Sequence, residues 1–289
     1  MHETREISAL FSLIDDPDQE VFSTVSNRIV HYGRGIIPNL ENLWENTLSE
    51  EVQERIELLI HKLHFNDLTR DFTDWKNNPY HDLLFGSLLV AKFQYPELAT
   101  APVLQELERI RRNVWLELNS FLTSLEQANV ICSIVYNYYN LKGVEMGYNN
   151  PDDFFIHKVI ESKKGNALSN GVLYLLLCEM LDLNVKAINI PQQFILAYFH
   201  KDYDQLLDTN PQQKIHFYID AISGRIFSHK DMEAYFKRIS VPITSFYFKP
   251  LSHKRIIQIQ LEELAKCFKN LKYEYKYNEL MILSKLLED

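Results

Sequence analysis

A thiol or hydroxyl at the start of a helix, an imidazole on the next strand and a carboxylate on the strand after that together perform acyl transfer. The helix contributes unpaired backbone N–H groups, which lower a thiol pKa. The run 167–182, ALSNGVLYLLLCEMLD, followed by strand-like segments, is where this chain could carry such a set. Ser169 is the hydroxyl near the start of that run. It also suits a capping role toward orphan N–H groups, and that is the plainer reading. Cys178 lies roughly 15 Å further along the helix and reads as a small buried hydrophobe. Period-two alternation puts His216, Tyr218 and Asp220 on one strand face. His216 and Asp220 are then about 13 Å apart and do not form a dyad. Asp220 reads equally as a strand-end residue capping the turn Ala221-Ile222-Ser223-Gly224. His61 and His64, at i,i+3, have the spacing of two metal ligands, but no third ligand sits at a recognised spacing. Cys132, Cys178 and Cys267 are odd in number, with no CxxC, so neither a disulfide framework nor a structural zinc site is expected. No metal or other cofactor is expected.

The elements that hold these residues follow from apolar spacing. Ile7, Leu10, Phe11 and Ile14 predict a first helix, and Val21, Val25, Ile29 and Val30 a second after Asp15-Asp16-Pro17-Asp18. Gly33 and Gly35 stop it, and Ile36, Ile37, Leu40, Leu43 and Trp44 begin another. This order resembles one HEAT-type repeat over some forty residues, and a single repeat must pack on more chain to bury its face. Further helices are predicted over 50–64, 80–94, 101–124 and 126–140. The run 167–182 is apolar nearly all round, as a helix buried on most sides is. Strands are predicted at 185–190, 193–199 and 214–220, with Pro191 dividing the first two. Residues 200–213 carry no pattern and read as an exposed loop; 252–288 returns to helix.

The chain has 289 residues, 30 Lys+Arg against 39 Asp+Glu, and a net charge of −9. That balance argues against nucleic acid, which needs a basic surface, and against a basic membrane-surface protein. Eight glycines with no GxGxxG and no P-loop leave no glycine-rich phosphate cradle. No signal peptide is evident at the N-terminus, and the longest apolar stretch, Val172–Cys178, is too short to span a bilayer. A cytoplasmic protein is expected.

Several segments together resemble the SirB-type branch of the transglutaminase-like superfamily. They are the helix start Lys164-Gly165-Asn166-Ala167-Leu168-Ser169, the segment Ile190-Pro191-Gln192-Gln193-Phe194 and the strand end Ile219-Asp220. Tyr95-Pro96-Glu97-Leu98, the stretch 143–150, the tail 249–256 and Asn270-Leu271-Lys272 add to it. The resemblance covers about residues 80–289. It implies an α+β fold: a helical N-terminal region, a papain-type core with a buried central helix and small antiparallel sheet, and a helical C-terminal tail. Relatives often carry C-terminal tetratricopeptide repeats, for which this chain leaves room for about one helical pair. The resemblance also places the superfamily's nucleophilic Cys at Ala167, where the SirB-type branch usually has Pro. The His, within a Pro-Gly-His-Phe-like segment, falls at Gln193, and the Asp at Asp220.

Ala167 offers no nucleophile, and the Gln193 amide cannot accept and return a proton near neutral pH. Triad members act as a unit, so either loss removes most of the catalysis. The expected function is therefore non-catalytic: a cleft near Asn166, Ser169, Gln193 and Asp220, or the helical surface, binding a peptide or protein partner. The alternative is an amidase, peptidase or acyl transferase using a non-standard nucleophile such as Ser169. The expected domains are a HEAT-like region, 1–78, and a transglutaminase-like domain, 79–289, divided into helical 79–150, core 151–250 and C-terminal helices 251–289.

Overall fold

A computed structural model describes residues 2–201, 210–270 and 273–288. The chain divides into two compact units, 1–74 and 75–289. The predicted loop 200–213 and the motif at 270–272 lie partly outside the described residues.

The first unit holds α1 (His2–Phe11), α2 (Gln19–His31), α3 (Ile37–Asn46) and most of α4 (Glu50–Asn77). Asp18 caps α2 by accepting from the Glu20 N–H, and Gly33 takes a positive φ of 71° where the chain turns. The predicted apolar stripes meet in one core of Ile14, Val25, Ile29, Ile36, Ile37, Leu40, Ile56, Leu59 and Leu63. The Arg55 guanidinium donates to the Ile14 and Asp16 carbonyls, pinning the α1–α2 corner to α4.

The second unit adds α5 (Leu83–Lys92), α6 (Ala101–Glu117), α7 (Ser124–Cys132), α8 (Ile156–Ser162) and α9 (Ala167–Met180). Then come β3 (Val185–Ile190), β4 (Gln193–Phe199), β5 (Ile215–Ile219) and β6 (Ile226–Phe227), α10 (His229–Arg238), α11 (His253–Ala265) and α12 (Glu274–Leu286). A two-residue parallel pair, β1 (Lys142–Gly143) and β2 (Lys164–Gly165), fixes the entry to α9. The main sheet is antiparallel in the order β3-β4-β5-β6. One sheet face packs with α10 in a core of Ile188, Ile190, Ile195, Ala197, Phe199, Ile215, Tyr218, Met232, Phe236 and Phe248. The other face meets α9, where Gly171 lets the Phe194 ring lie on the helix: a Cβ there would be 2.6 Å from the ring. The α+β architecture is the expected one, with α9 as the buried central helix.

The predicted helix over 101–124 is two elements. Leu118 ends α6, and Thr123 opens α7 with a capping box, its hydroxyl accepting from the Glu126 N–H while the Glu126 carboxylate accepts from the Thr123 N–H. The apolar spacing of Leu118 and Leu122 runs through that break and conceals it. The predicted helix 126–140 widens to i→i+5 bonding over Ser133–Tyr138.

Candidate functional site

The start of α9 is where a nucleophile would stand, and the Leu168 and Ser169 N–H groups there are already used. Asn166 Oδ1 accepts from the Leu168 and Ser169 N–H groups, each at 3.0 Å. Ser169 Oγ accepts from the Asn166 N–H at 3.1 Å and donates to the Asp153 carbonyl at 2.6 Å. The single hydroxyl proton is thus committed, and Asn166 and Ser169 are 1% and 0% exposed. The pair is a reciprocal cap that closes the helix terminus. Ala167, half-buried, presents only a methyl group beside it.

No cysteine takes the nucleophile's place. Cys178 is fully buried, and burial pushes its thiol well above the ordinary value. Cys132 is raised for the same reason, with Sγ 3.5 Å from the Tyr174 hydroxyl. Burial pushes Cys267 up to about 11. The thiolate is the reactive form, and each site disfavours it.

Gln193 begins β4 and pairs with Ile190 across the two-residue turn Pro191-Gln192. Gln192 adopts φ 65°, so a proline followed by a left-handed residue makes a type II turn. This is the position where the resembled segment has glycine, and a side chain there costs about 1–2 kcal/mol of backbone strain. The Tyr235 hydroxyl donates to the Pro191 carbonyl at 2.7 Å and braces the turn. By strand alternation Gln193 shares the α10 face with Ile195, Ala197 and Phe199, whereas Phe194 points to α9.

Asp220 ends β5 as a turn cap. Its Oδ1 accepts from the Ile222 N–H at 3.0 Å and its Oδ2 from the Ser223 hydroxyl at 2.6 Å. Tyr136 clamps this turn: its hydroxyl donates to the Ala221 carbonyl, and its ring lies on Gly224, at φ 69°. Asn166 and Ser169 are therefore brought together. No hydrogen bond among the described residues joins them to Gln193 or Asp220.

Gln193 does border an open groove of ≈ 460 Å³ together with Leu168, the second residue of α9. Its other walls include Tyr148, Asn189, Gln192, Phe246, Tyr247, Glu263 and Lys266. Glu263 accepts from the Tyr148 hydroxyl at 2.8 Å and pairs with the Lys266 ammonium at 2.6 Å. The two charges lining the groove thus cancel, leaving amides and aromatic rings as its recognition groups. Residue patterning does not single out Tyr148, Phe246 and Tyr247; their only signal is proximity to the resembled stretches 143–150 and 249–256. Near the end of the predicted helix 126–140, Tyr138 is 74% exposed, while Tyr139 is 4% exposed and belongs to the core.

His216 does not share a face with Tyr218 as alternation predicts. The β4–β5 register passes from Tyr198↔Phe217 to Phe199↔Ile215, so His216 is an extra, bulged residue. Ile215 and Tyr218 consequently lie together in the core facing α10. Among the described residues no three His, Cys, Asp or Glu side chains gather as metal ligands, and no helix is long and apolar enough to cross a membrane.

Comparison with known proteins matches residues 101–262 to the model of the transglutaminase-like superfamily. Protein SirB1 of Salmonella typhimurium is 26% identical over 123 residues, 43% of this chain and 45% of the relative. The UPF0162 protein YchA of Escherichia coli is 21% identical over 174 residues, 60% of this chain and 61% of the relative. F-box only protein 21 of Mus musculus is 25% identical over 126 residues, 43% of this chain and 19% of the relative. The chain thus spans about half the length of the SirB1 relative it matches. No solved structure matches it. A matched segment running from α6 through α11, with SirB1 among the similar proteins, places the chain in the SirB-type branch of the transglutaminase-like superfamily.

Proposed function

We propose that this protein is a non-catalytic member of its superfamily that holds an uncharged stretch of a peptide or protein partner in the groove beside Gln193. The observation that supports this most is chemical. At the resembled triad positions stand a methyl group and a carboxamide, Ala167 and Gln193, and the remaining carboxylate, Asp220, is spent on its own turn. The groove itself supports a binding role. Asn189, Gln192 and Gln193 each donate and accept, as a peptide backbone requires. Tyr148, Phe246 and Tyr247 supply rigid apolar area, and Phe246 is 72% exposed.

In this reading Gln193 is the contact residue, while Asn166, Ser169 and Asp220 do not line the groove. The test is selection of displayed peptides on the native protein, followed by affinity measurement with Gln193→Ala and Tyr247→Ala. Selected peptides are expected to lose roughly tenfold in affinity on each variant, about 1.4 kcal/mol. Binding that is indifferent to both variants contradicts the groove. Turnover of amide or ester substrates by the native protein contradicts the non-catalytic reading and favours an acyl-transfer enzyme.

A further inference from the structure

We propose that His200 and His216 form a two-imidazole site for a divalent transition ion of the zinc, nickel or copper kind. The bulge at the far end of β4 is what brings them together. In an unbroken antiparallel ladder, the pair after Tyr198↔Phe217 would be Phe199 opposite His216, and the next His200 opposite Ile215. Successive pairs face opposite sides of a sheet, so the two imidazoles would be separated by the sheet. The register shift between Tyr198 and Phe199 pairs Phe199 with Ile215 instead and leaves His216 as the extra residue. Its ring then lies on the Tyr198 side, with the His200 and His216 ring centroids 3.6 Å apart, a contact from which the two rings swing apart to about 5 Å to share one ion at metal–nitrogen bonds of about 2 Å. The ladder resumes beyond the bulge, where the His200 N–H donates to the Lys214 carbonyl at 2.9 Å, so the backbone carrying His200 is held.

Two further properties suit a metal. Neither imidazole makes a side-chain hydrogen bond to another described residue, in contrast to His229 and His253, each of whose ring nitrogens is engaged. His216 is exposed and His200 half-buried, so an ion can reach them and solvent can fill its other positions. Imidazole nitrogen suits zinc, nickel and copper over magnesium or calcium. Bulges re-aim side chains beside functional sites, which is what this one does. The pair lies about 20 Å along β4 from Gln193, so it stands independently of the groove.

Calorimetric titration of the native protein with Zn²⁺ tests this. One site is expected. His200→Ala and His216→Ala should each weaken it roughly tenfold or more, since even residues that only support a ligand contribute that much. His31→Ala, in the first unit, should leave it intact. Thermal unfolding of the metal-free variants checks their fold, and His216→Gln, which keeps the side chain's bulk, repeats the test if alanine is not tolerated. As a second reading, Ni²⁺ should broaden the ring resonances of His200 and His216 before those of the other histidines. No Zn²⁺ binding, or affinity in both alanine variants unchanged from that of the native protein, overturns the site.

Discussion

Asn166 and Ser169 illustrate how a residue with catalytic chemistry can be occupied by a structural task. Each side chain satisfies the other's backbone, and Ser169 Oγ also reaches the Asp153 carbonyl. Removing a buried partner leaves donors and acceptors unpaired, which costs more than the lost bond. Ser169→Ala is therefore expected to destabilise the protein by about 1–3 kcal/mol, read from urea unfolding. Position 193 teaches the complementary lesson. Its place on the α10 face means that a restored imidazole would start from the side of the sheet opposite α9. The double variant Ala167→Cys, Gln193→His is accordingly expected to release no detectable product from amide or ester substrates. Measurable hydrolysis by Gln193→His alone would show that a nucleophile exists elsewhere in the groove. Ala167 and Gln193 are legible because residue type alone decides what they cannot do, whereas the commitment of Asp220 to its own turn shows in its bonds to Ile222 and Ser223. The capping of Ser169 was legible from its place at a helix start, whereas its bond to Asp153 depends on a tertiary approach that no local spacing encodes.

At the scale of elements, the contact between α9 and the β3–β4 hairpin sets the position of the groove. Gly171 makes that contact possible, because any Cβ would meet the Phe194 ring. Gly171→Ala is expected to cost about 1–3 kcal/mol through overpacking, and to weaken groove binding in parallel because the hairpin moves with Phe194. Loss of stability with unaltered affinity would show that the hairpin is positioned by other contacts, such as the Tyr235 bond to Pro191. The strands 185–190 and 193–199 emerge from sequence with their observed bounds, since β-branched and aromatic runs flank Pro191. The break between α6 and α7 does not, because apolar periodicity continues through it; the capping box at Thr123 and Glu126 was the available signal. A further capping box, Ser228 with Asp231, marks α10, whose sequence HKDMEAYFKR is polar on average but keeps Met232 and Phe236 on one buried stripe. The bulge at His216 has no local signature. It arises because Ile215 and Tyr218 both have apolar burial to gain on one side of the sheet.

For the molecule as a whole, two histidines set opposing pH limits within the second unit. His253 is bonded at both nitrogens, to Glu179 at 2.6 Å and to the His81 carbonyl at 2.9 Å. The bond to Glu179 is the main cause of its raised pKa, opposed by burial. Its contribution is fully present below the unfolded value near 6.5 and is lost as pH rises through the higher folded value. His157, 3% exposed among Tyr95 and Phe155, has its pKa lowered chiefly by burial. It folds neutral, so stability is lost as pH falls from about 6.5 toward the depressed folded value. Thermal unfolding across pH should therefore peak near neutrality. His253→Gln should flatten the alkaline side and His157→Phe the acid side, each checked by calorimetry. Because the His253–Glu179 pair is about one-third exposed, its part is about 1 kcal/mol or less.

The proposed function requires that, among the described residues, no side chain at the start of α9 or lining the groove is poised to form an acyl intermediate. Intact-mass spectrometry after incubation with an activated peptide ester tests it most directly. The native chain is expected to carry no acyl group on Ser169 or on a residue lining the groove, with labelling of the buried Cys178 appearing only once unfolding exposes its thiol. A single acyl group per native chain, mapped to Ser169 or to any residue lining the groove and abolished by unfolding, would contradict it.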